Sequence, residues 1–379
     1  MSAAAWEERL YRAAHPIAYP LLTAVRSPVR RIPGLGIVVT DAALLRSVLL
    51  DGRGFTKNGP GASSELWTPV LGPTVLVNMD GADHAALRRQ LAPLFTPAWV
   101  DDLAARTLAD ALAALTGRLR DGEPVDLVTE VRHYASIMIA QLVGLGDDVV
   151  GDELFRRISA ISAYVNLARP RLTARQILAA RRVIAELDTA ASAAWAGDAS
   201  TVPGRMRELG LGERDALGAA GAFVLTGTET LVAFIPRLVA LLLDTGWLDR
   251  LRDDRTRVEA AIAEGMRVTT PTPVMLRSVL RDGRIGGVGV RRGERVILAT
   301  FAANRALGPF DPIANPAAGL KQLWFGAGPH FCIGAPLAMA QVRLVLGALL
   351  DAPAGLRVAA RGAARRTLLP GYRSLVITR

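Results

Sequence analysis

Helix-length hydrophobic runs dominate this chain. Leu337, Ala338, Leu344, Val345 and Leu349 recur near a 3.6-residue period and predict a helix whose first turn accommodates Pro336. Amphipathic spacing predicts another helix over 101–119, and 125–145 reads as a short extended piece followed by a helix carrying Ile137, Met138, Ile139 and Leu142. The pattern is helical again over 153–195, interrupted near Pro170, and over 257–268. The longest apolar helix spans 221–244. Strand signals are short: IVVT from Ile37, followed by a short helix and a turn before Phe55, and a region beyond Pro271 and Pro273 with turns at Asp282–Gly283, Gly286–Gly287 and Arg292–Gly293. Alternation over 356–378 predicts a hairpin around Pro370–Gly371. Glycines and prolines over 58–73 predict a long loop of the kind that covers a site, and Pro203–Gly204 marks 199–205 as a surface connector.

Composition narrows the class. A chain of 379 residues with 51% apolar side chains has ample material for a packed core. A single cysteine, Cys332, excludes an internal disulfide. The first 25 residues contain Glu7, Glu8, Arg9 and Arg12, so no signal peptide is expected. The densest apolar run, Leu238–Leu243, falls far below the roughly 18 residues of a membrane span, so a cytoplasmic protein without a membrane anchor is expected. The net charge of +10 comes from arginines spread along the chain, with Lys57 and Lys321 the only lysines. Such dispersion argues against nucleic acid as a partner.

Four clusters carry candidate chemistry. Cys332 lies in FGAGPHFCIG, Phe325 to Gly334, a glycine-punctuated loop entering a helix. Backbone N–H groups at such an entry favour a thiolate, which makes Cys332 an activated ligand or nucleophile. In the second cluster, Asp83 is a candidate cap for a helix where His84 and Arg88 share a face, a pairing suited to a carboxylate. Thr226, Gly227, Thr228, Glu229 and Thr230 interrupt the apolar 221–244 helix, where hydroxyls and glycine are expected to loosen the backbone ladder and leave room for a small ligand. Finally, Glu264 and Arg267, three apart on a helix, suit a buried, hydrogen-bonded pair.

The ten-residue cysteine segment resembles the haem-binding signature of the cytochrome P450 family, matching it at Phe325, Gly326, Gly328, His330, Cys332 and Gly334. The other clusters resemble that family's remaining motifs in the same order, over about 37–343. The resemblance implies a mainly α fold with small β-sheets, a single domain over 1–379 enclosing haem b, and Cys332 as the thiolate ligand of iron. It implies that His84, Arg88, Arg277 and His330 hold the haem propionates, with Gly227, Phe325 and Gly334 also at the cofactor. It assigns Glu229 and Thr230 as the acid–alcohol pair of oxygen activation, and Glu264 and Arg267 as a structural lock. The implied activity is monooxygenation of a small apolar organic substrate by O2, with electrons from a separate ferredoxin and ferredoxin reductase. Trp67, Phe223, Val224, Val274 and Met275 are the apolar residues expected near the pocket.

The sequence also departs from that pattern. Thr226 stands where alanine is commoner, Leu231 where a second threonine is frequent, and Gln341 where glutamate is frequent. No arginine completes the Glu264–Arg267 network, for which Lys321 is a doubtful substitute. A peroxide-driven haem-thiolate enzyme and a noncatalytic haem- or ligand-binding protein on the same fold stay open as alternatives.

Overall fold

A computed structural model describes residues 2–145, 156–157, 160–161, 164, 171–314 and 316–379. The chain is about 59% helical with small sheets, in keeping with its hydrophobic periodicity. Most of the helical stretch expected between 153 and 170 lies outside the described residues.

The helix Glu213–Asp244 organises the interior. It begins eight residues before the apolar run read from sequence, since Glu213 and Asp215 occupy its first turn, where acidic groups complement the helix dipole. This helix is long and apolar enough to cross a membrane, but 78% of its most apolar window is buried within the protein. It packs most extensively on the helix Leu127–Val143. A methyl group at Gly227 would meet Ile139 Cδ1 at 2.4 Å, so the missing side chain lets these two helices approach. Helices Pro97–Arg120 and Ala335–Asp351 pair alongside them.

Five strands form the larger sheet: β1 (Val29–Ile32), β2 (Gly36–Val39), β3 (Phe55–Thr56), β5 (Met275–Val279) and β8 (Arg295–Leu298), in the order β1-β2-β8-β5-β3. Only the β2–β8 pair is parallel. A three-stranded sheet joins β4 (Val125–Asp126) to the predicted C-terminal hairpin of β9 (Arg357–Ala363) and β10 (Tyr372–Thr378). The Gly286–Gly287 turn closes a small hairpin between β6 (Gly283–Ile285) and β7 (Val288–Val290).

Two local readings need correction. The 58–73 stretch contains a helix, Ser63–Leu71: its glycines flank the helix, and only Pro69 lies inside it. The 199–205 connector contains the start of helix Val202–Glu208, because Thr201 caps the Gly204 N–H and Pro203 sits in the first turn, where a missing N–H costs nothing.

A second buried ion cluster ties the N-terminal helix Ala3–Ala14 to the interior. Arg237 on the long helix donates to both Glu7 oxygens, to Thr269 O at 2.6 Å and to Pro370 O at 3.1 Å, while Arg305 donates to Glu7 at 3.0 Å. Sequence gave no sign of this clamp, whose main partners are 230 positions apart.

Candidate functional site

The cysteine loop is built by its glycines. Gly326 and Gly328 have φ of 80° and 66°, which favour glycine, and a Cβ at Gly328 would strike Leu49 O at 2.8 Å. The loop closes on itself through Cys332 N–H to Phe325 O at 2.9 Å and Phe331 N–H to Gly328 O at 3.0 Å. Gly334 then caps the helix Ala335–Asp351, with Pro336 in its first turn.

Cys332 opens onto a cavity of about 480 Å³. Burial among surrounding protein pushes its thiol up; the Gly334 and Ala335 N–H groups and the Arg88 and Lys57 charges pull it down without overcoming burial. The helix-entry N–H groups thus act in the direction expected from the sequence, favouring the thiolate against the cost of desolvating the anion. A metal ligand remains consistent, because coordination itself deprotonates a thiol.

Basic side chains from several elements line the same cavity: Lys57, His84, Arg88, Arg277 and His330. His84 and Arg88 share a face of helix Gly81–Leu91, capped by Asp80 and not by Asp83 as expected. Asp80 precedes the helix with extended backbone and its Oδ1 accepts the Gly81 N–H, whereas Asp83 is already in the first turn. The cap also reaches the cysteine loop, since His330 Nε2 lies 3.0 Å from Asp80 Oδ1. The His330 and His84 rings are 4.2 Å apart, and the buried Nδ1 of each has no partner among the described residues.

Burial dominates the electrostatics of this cluster, with repulsion from neighbouring basic groups adding to it at His84 and Lys57. Burial, then the neighbouring His330, Lys57 and Arg88 charges, depresses His84 to about 4. Arg277, reaching in from β5, is depressed to about 10 mainly by burial, and Lys57 to about 8 by burial and then Arg277. Burial would raise Asp80, but hydrogen bonds from His330, Thr56 and the Lys57 and Gly81 N–H groups outweigh it and hold the carboxyl below its usual range. Lys57 was not singled out from sequence as a site residue, because it comes beside Cys332 only through the fold. Being one of just two lysines was its only mark.

The long helix contributes Thr226, Gly227, Thr230 and Leu231 to the lining. It remains α-helical through this cluster, contrary to the expected loosening. Each threonine instead donates its hydroxyl to the carbonyl four residues earlier: Thr226 to Ala222 at 2.7 Å, Thr228 to Val224 at 3.2 Å and Thr230 to Thr226 at 3.1 Å. Glu229 does not line the cavity; its carboxylate is 3.4 Å from Arg132 Nη1. Trp67, Phe223, Val274 and Met275 do line it, with Gln341, whereas Val224, expected there too, is fully buried in the core instead.

Glu264 and Arg267 form the expected pair with both side chains fully buried, joined at 2.7 and 2.6 Å. The partner missing from the sequence is supplied by backbone: Arg267 donates to Asn304 O, Gly308 O and Pro309 O, and Glu264 accepts the Asp311 N–H. Lys321 is exposed and takes no part.

The residues fit an iron porphyrin. Among the described residues no group of three or more His, Cys, Asp and Glu could hold a metal ion, so a metal at Cys332 must bring its other ligands with it. The orphaned histidine nitrogens and surplus cations suit a group carrying carboxylates.

No protein-family model matches the chain. It is 31% identical over 304 residues to Cytochrome P450 107B1 of Saccharopolyspora erythraea, covering 78% of this chain and 73% of that protein. It is 28% identical over 345 residues to the mycinamicin IV hydroxylase/epoxidase of Micromonospora griseorubida, covering 85% and 83%. The solved structure of a mutant of P450 EryK in complex with erythromycin B superposes with a TM-score of 0.83 at 23% identity, covering 100% of this chain and 97% of that one.

Proposed function

The chain belongs to the cytochrome P450 family, which makes it an oxidoreductase with haem iron as cofactor, and we propose that it inserts one atom of O2 into a largely apolar, secondary-metabolite-type molecule. The observation that carries this reading is a single cysteine facing a cavity that also holds a cationic cluster and the hydroxyl-bearing turn of a buried helix.

In this reading Cys332 would hold the iron of haem b through its sulfur, toward which the Gly334 and Ala335 N–H groups are turned. When bound, the haem supplies the centre at which O2 is activated. His84, Arg88, Arg277 and His330 pair with its propionates, and Gly227, Phe325 and Gly334 shape the space around it. Thr230 commits its proton to the Thr226 carbonyl, so its lone pairs can hold a water molecule in the cavity. Glu229, one residue earlier and beside Arg132, feeds protons toward that water from outside the cavity. Trp67, Phe223, Val274 and Met275 seat the apolar substrate and exclude bulk water. We further propose a single catalytic domain over 1–379, cytoplasmic, receiving electrons from a separate ferredoxin and ferredoxin reductase.

One observation favours the peroxide-driven alternative: Glu229 is paired with Arg132 and does not face the cavity. Turnover under isotopically labelled O2 with a reductase system separates the two. Incorporation of one labelled atom into product supports monooxygenation, while product formed only when peroxide is added contradicts it.

A further inference from the structure

The described cavity holds three permanently or predominantly cationic side chains, Lys57, Arg88 and Arg277, and one neighbouring carboxylate, Asp80. The carboxylate has no capacity left for the lysine ammonium. Its Oδ1 already accepts from His330 at 3.0 Å and the Gly81 N–H at 2.9 Å. Its Oδ2 accepts from Thr56 Oγ1 at 2.5 Å and the Lys57 N–H at 3.0 Å. Four hydrogen bonds fill the lone-pair sites of a carboxylate. Asp80 thus holds the Lys57 backbone in place while leaving its ammonium without a hydrogen-bonded acceptor among the described residues.

Three cations against one carboxylate leave two positive charges to be matched. Ferric iron bound to a porphyrin ring and a thiolate is neutral at its centre, so the two propionates carry the whole net charge of the bound group. We propose that Lys57 is a propionate-binding residue of this chain, the cavity cation that the saturated Asp80 leaves free for one of the two carboxylates. The proposal rests on haem occupying the Cys332 cavity. Burial and repulsion by Arg277, which make the ammonium costly to hold there, are the physical reason an anionic partner would be favoured. Lysine suits the position because a point charge on a flexible stem can follow a carboxylate without the fixed geometry of a guanidinium.

The two-lysine composition makes the test unusually clean. Protein reconstituted with haem, and separately with haem whose propionates are esterified, is pulse-labelled with an amine-acetylating reagent and analysed by peptide mass spectrometry. Exposed Lys321 reports reagent activity and should label equally in both. Lys57 should label about tenfold more slowly with native haem than with the ester, the protection expected of one charge-assisted hydrogen bond. Equal labelling of Lys57 in both forms, whether fast or slow, overturns the proposal. Independently, Lys57→Met should lose haem to apomyoglobin about tenfold faster than wild type, with Lys57→Arg close to wild type; unchanged loss from Lys57→Met also overturns it. A thiolate-type spectrum of the reduced carbon monoxide complex, retained in wild type and Lys57→Met, shows that such a failure belongs to Lys57 alone. Its absence from wild type overturns the haem-thiolate reading itself and the proposal with it.

Discussion

Arg267→Lys is expected to destabilise the protein nearly as much as deleting the side chain, although it keeps the charge. Arg267 makes five hydrogen bonds, two to Glu264 and one each to Asn304 O, Gly308 O and Pro309 O, in a setting where both members of the ion pair are fully buried. Lysine has three donors on one nitrogen and cannot span acceptors arranged around a planar fork. At least two acceptors lose their partner, at about 1–3 kcal/mol each. Removing the cation altogether, as in Arg267→Met, leaves a buried carboxylate at a cost of about 3–5 kcal/mol. Urea unfolding of the haem-loaded protein, followed by far-ultraviolet circular dichroism and by the haem absorption band, measures both variants. Arg106→Lys is the control: its i,i+4 pair with Asp102 is mostly exposed, and its midpoint should stay at the wild-type value. An Arg267→Lys loss below about 1 kcal/mol would refute the claim that backbone carbonyls replace the absent arginine partner.

The remaining expectations concern the site. His84→Ala and Arg88→Ala should each lose haem to apomyoglobin faster than wild type with circular dichroism largely kept; unchanged loss from both would remove that helix from the propionate cradle. Gly227→Ala should destabilise the protein by about 1–3 kcal/mol, because its methyl group meets Ile139 at 2.4 Å in a tightly packed helix contact, and an unchanged unfolding midpoint would show that Ile139 yields freely. Thr230→Ala should consume reducing equivalents while releasing more hydrogen peroxide and less oxygenated product, and equal product per electron would count against its role in holding water. For Asp80, whose folded pKa is held below the unfolded value of about 4, the stabilisation is present above about pH 4 and lost as pH falls further. The difference in urea midpoint between wild type and Asp80→Asn should therefore shrink in acid, and a difference that grew there would reverse the sign of the argument.

Much of this architecture is visible in the sequence because long periodic helices and a tightly spaced loop are local signals. The 335–351 helix, the 127–143 helix and the C-terminal hairpin follow from spacing and turn residues alone. The loop around Cys332 is equally local, since its glycines, histidine and cysteine lie within ten positions. Glycine and proline were less informative at element ends. Pro203 and the residues around Ser63–Leu71 read as breakers, yet a helix accepts proline in its first turn and glycine just outside its limits.

What sequence left hidden is mostly long-range. Lys57 joins the site through the Asp80 cap, Glu7 meets Arg237 across the chain, and the acceptors for Arg267 are carbonyls without any side-chain signature. The Cys332 thiol shows a different limit: the helix-entry N–H groups that favour a thiolate are legible in the sequence, whereas the burial that opposes them arises from packing.

The central claim is that Cys332 ligates haem iron through sulfur. Reduced protein exposed to carbon monoxide should give the strongly red-shifted absorption band of a thiolate-ligated haem, and Cys332→Ser should lose that band while His84→Ala and Lys57→Met keep it in whatever haem they retain. A wild-type spectrum of the histidine-ligated kind, or a red-shifted band that persists in Cys332→Ser, would contradict the account.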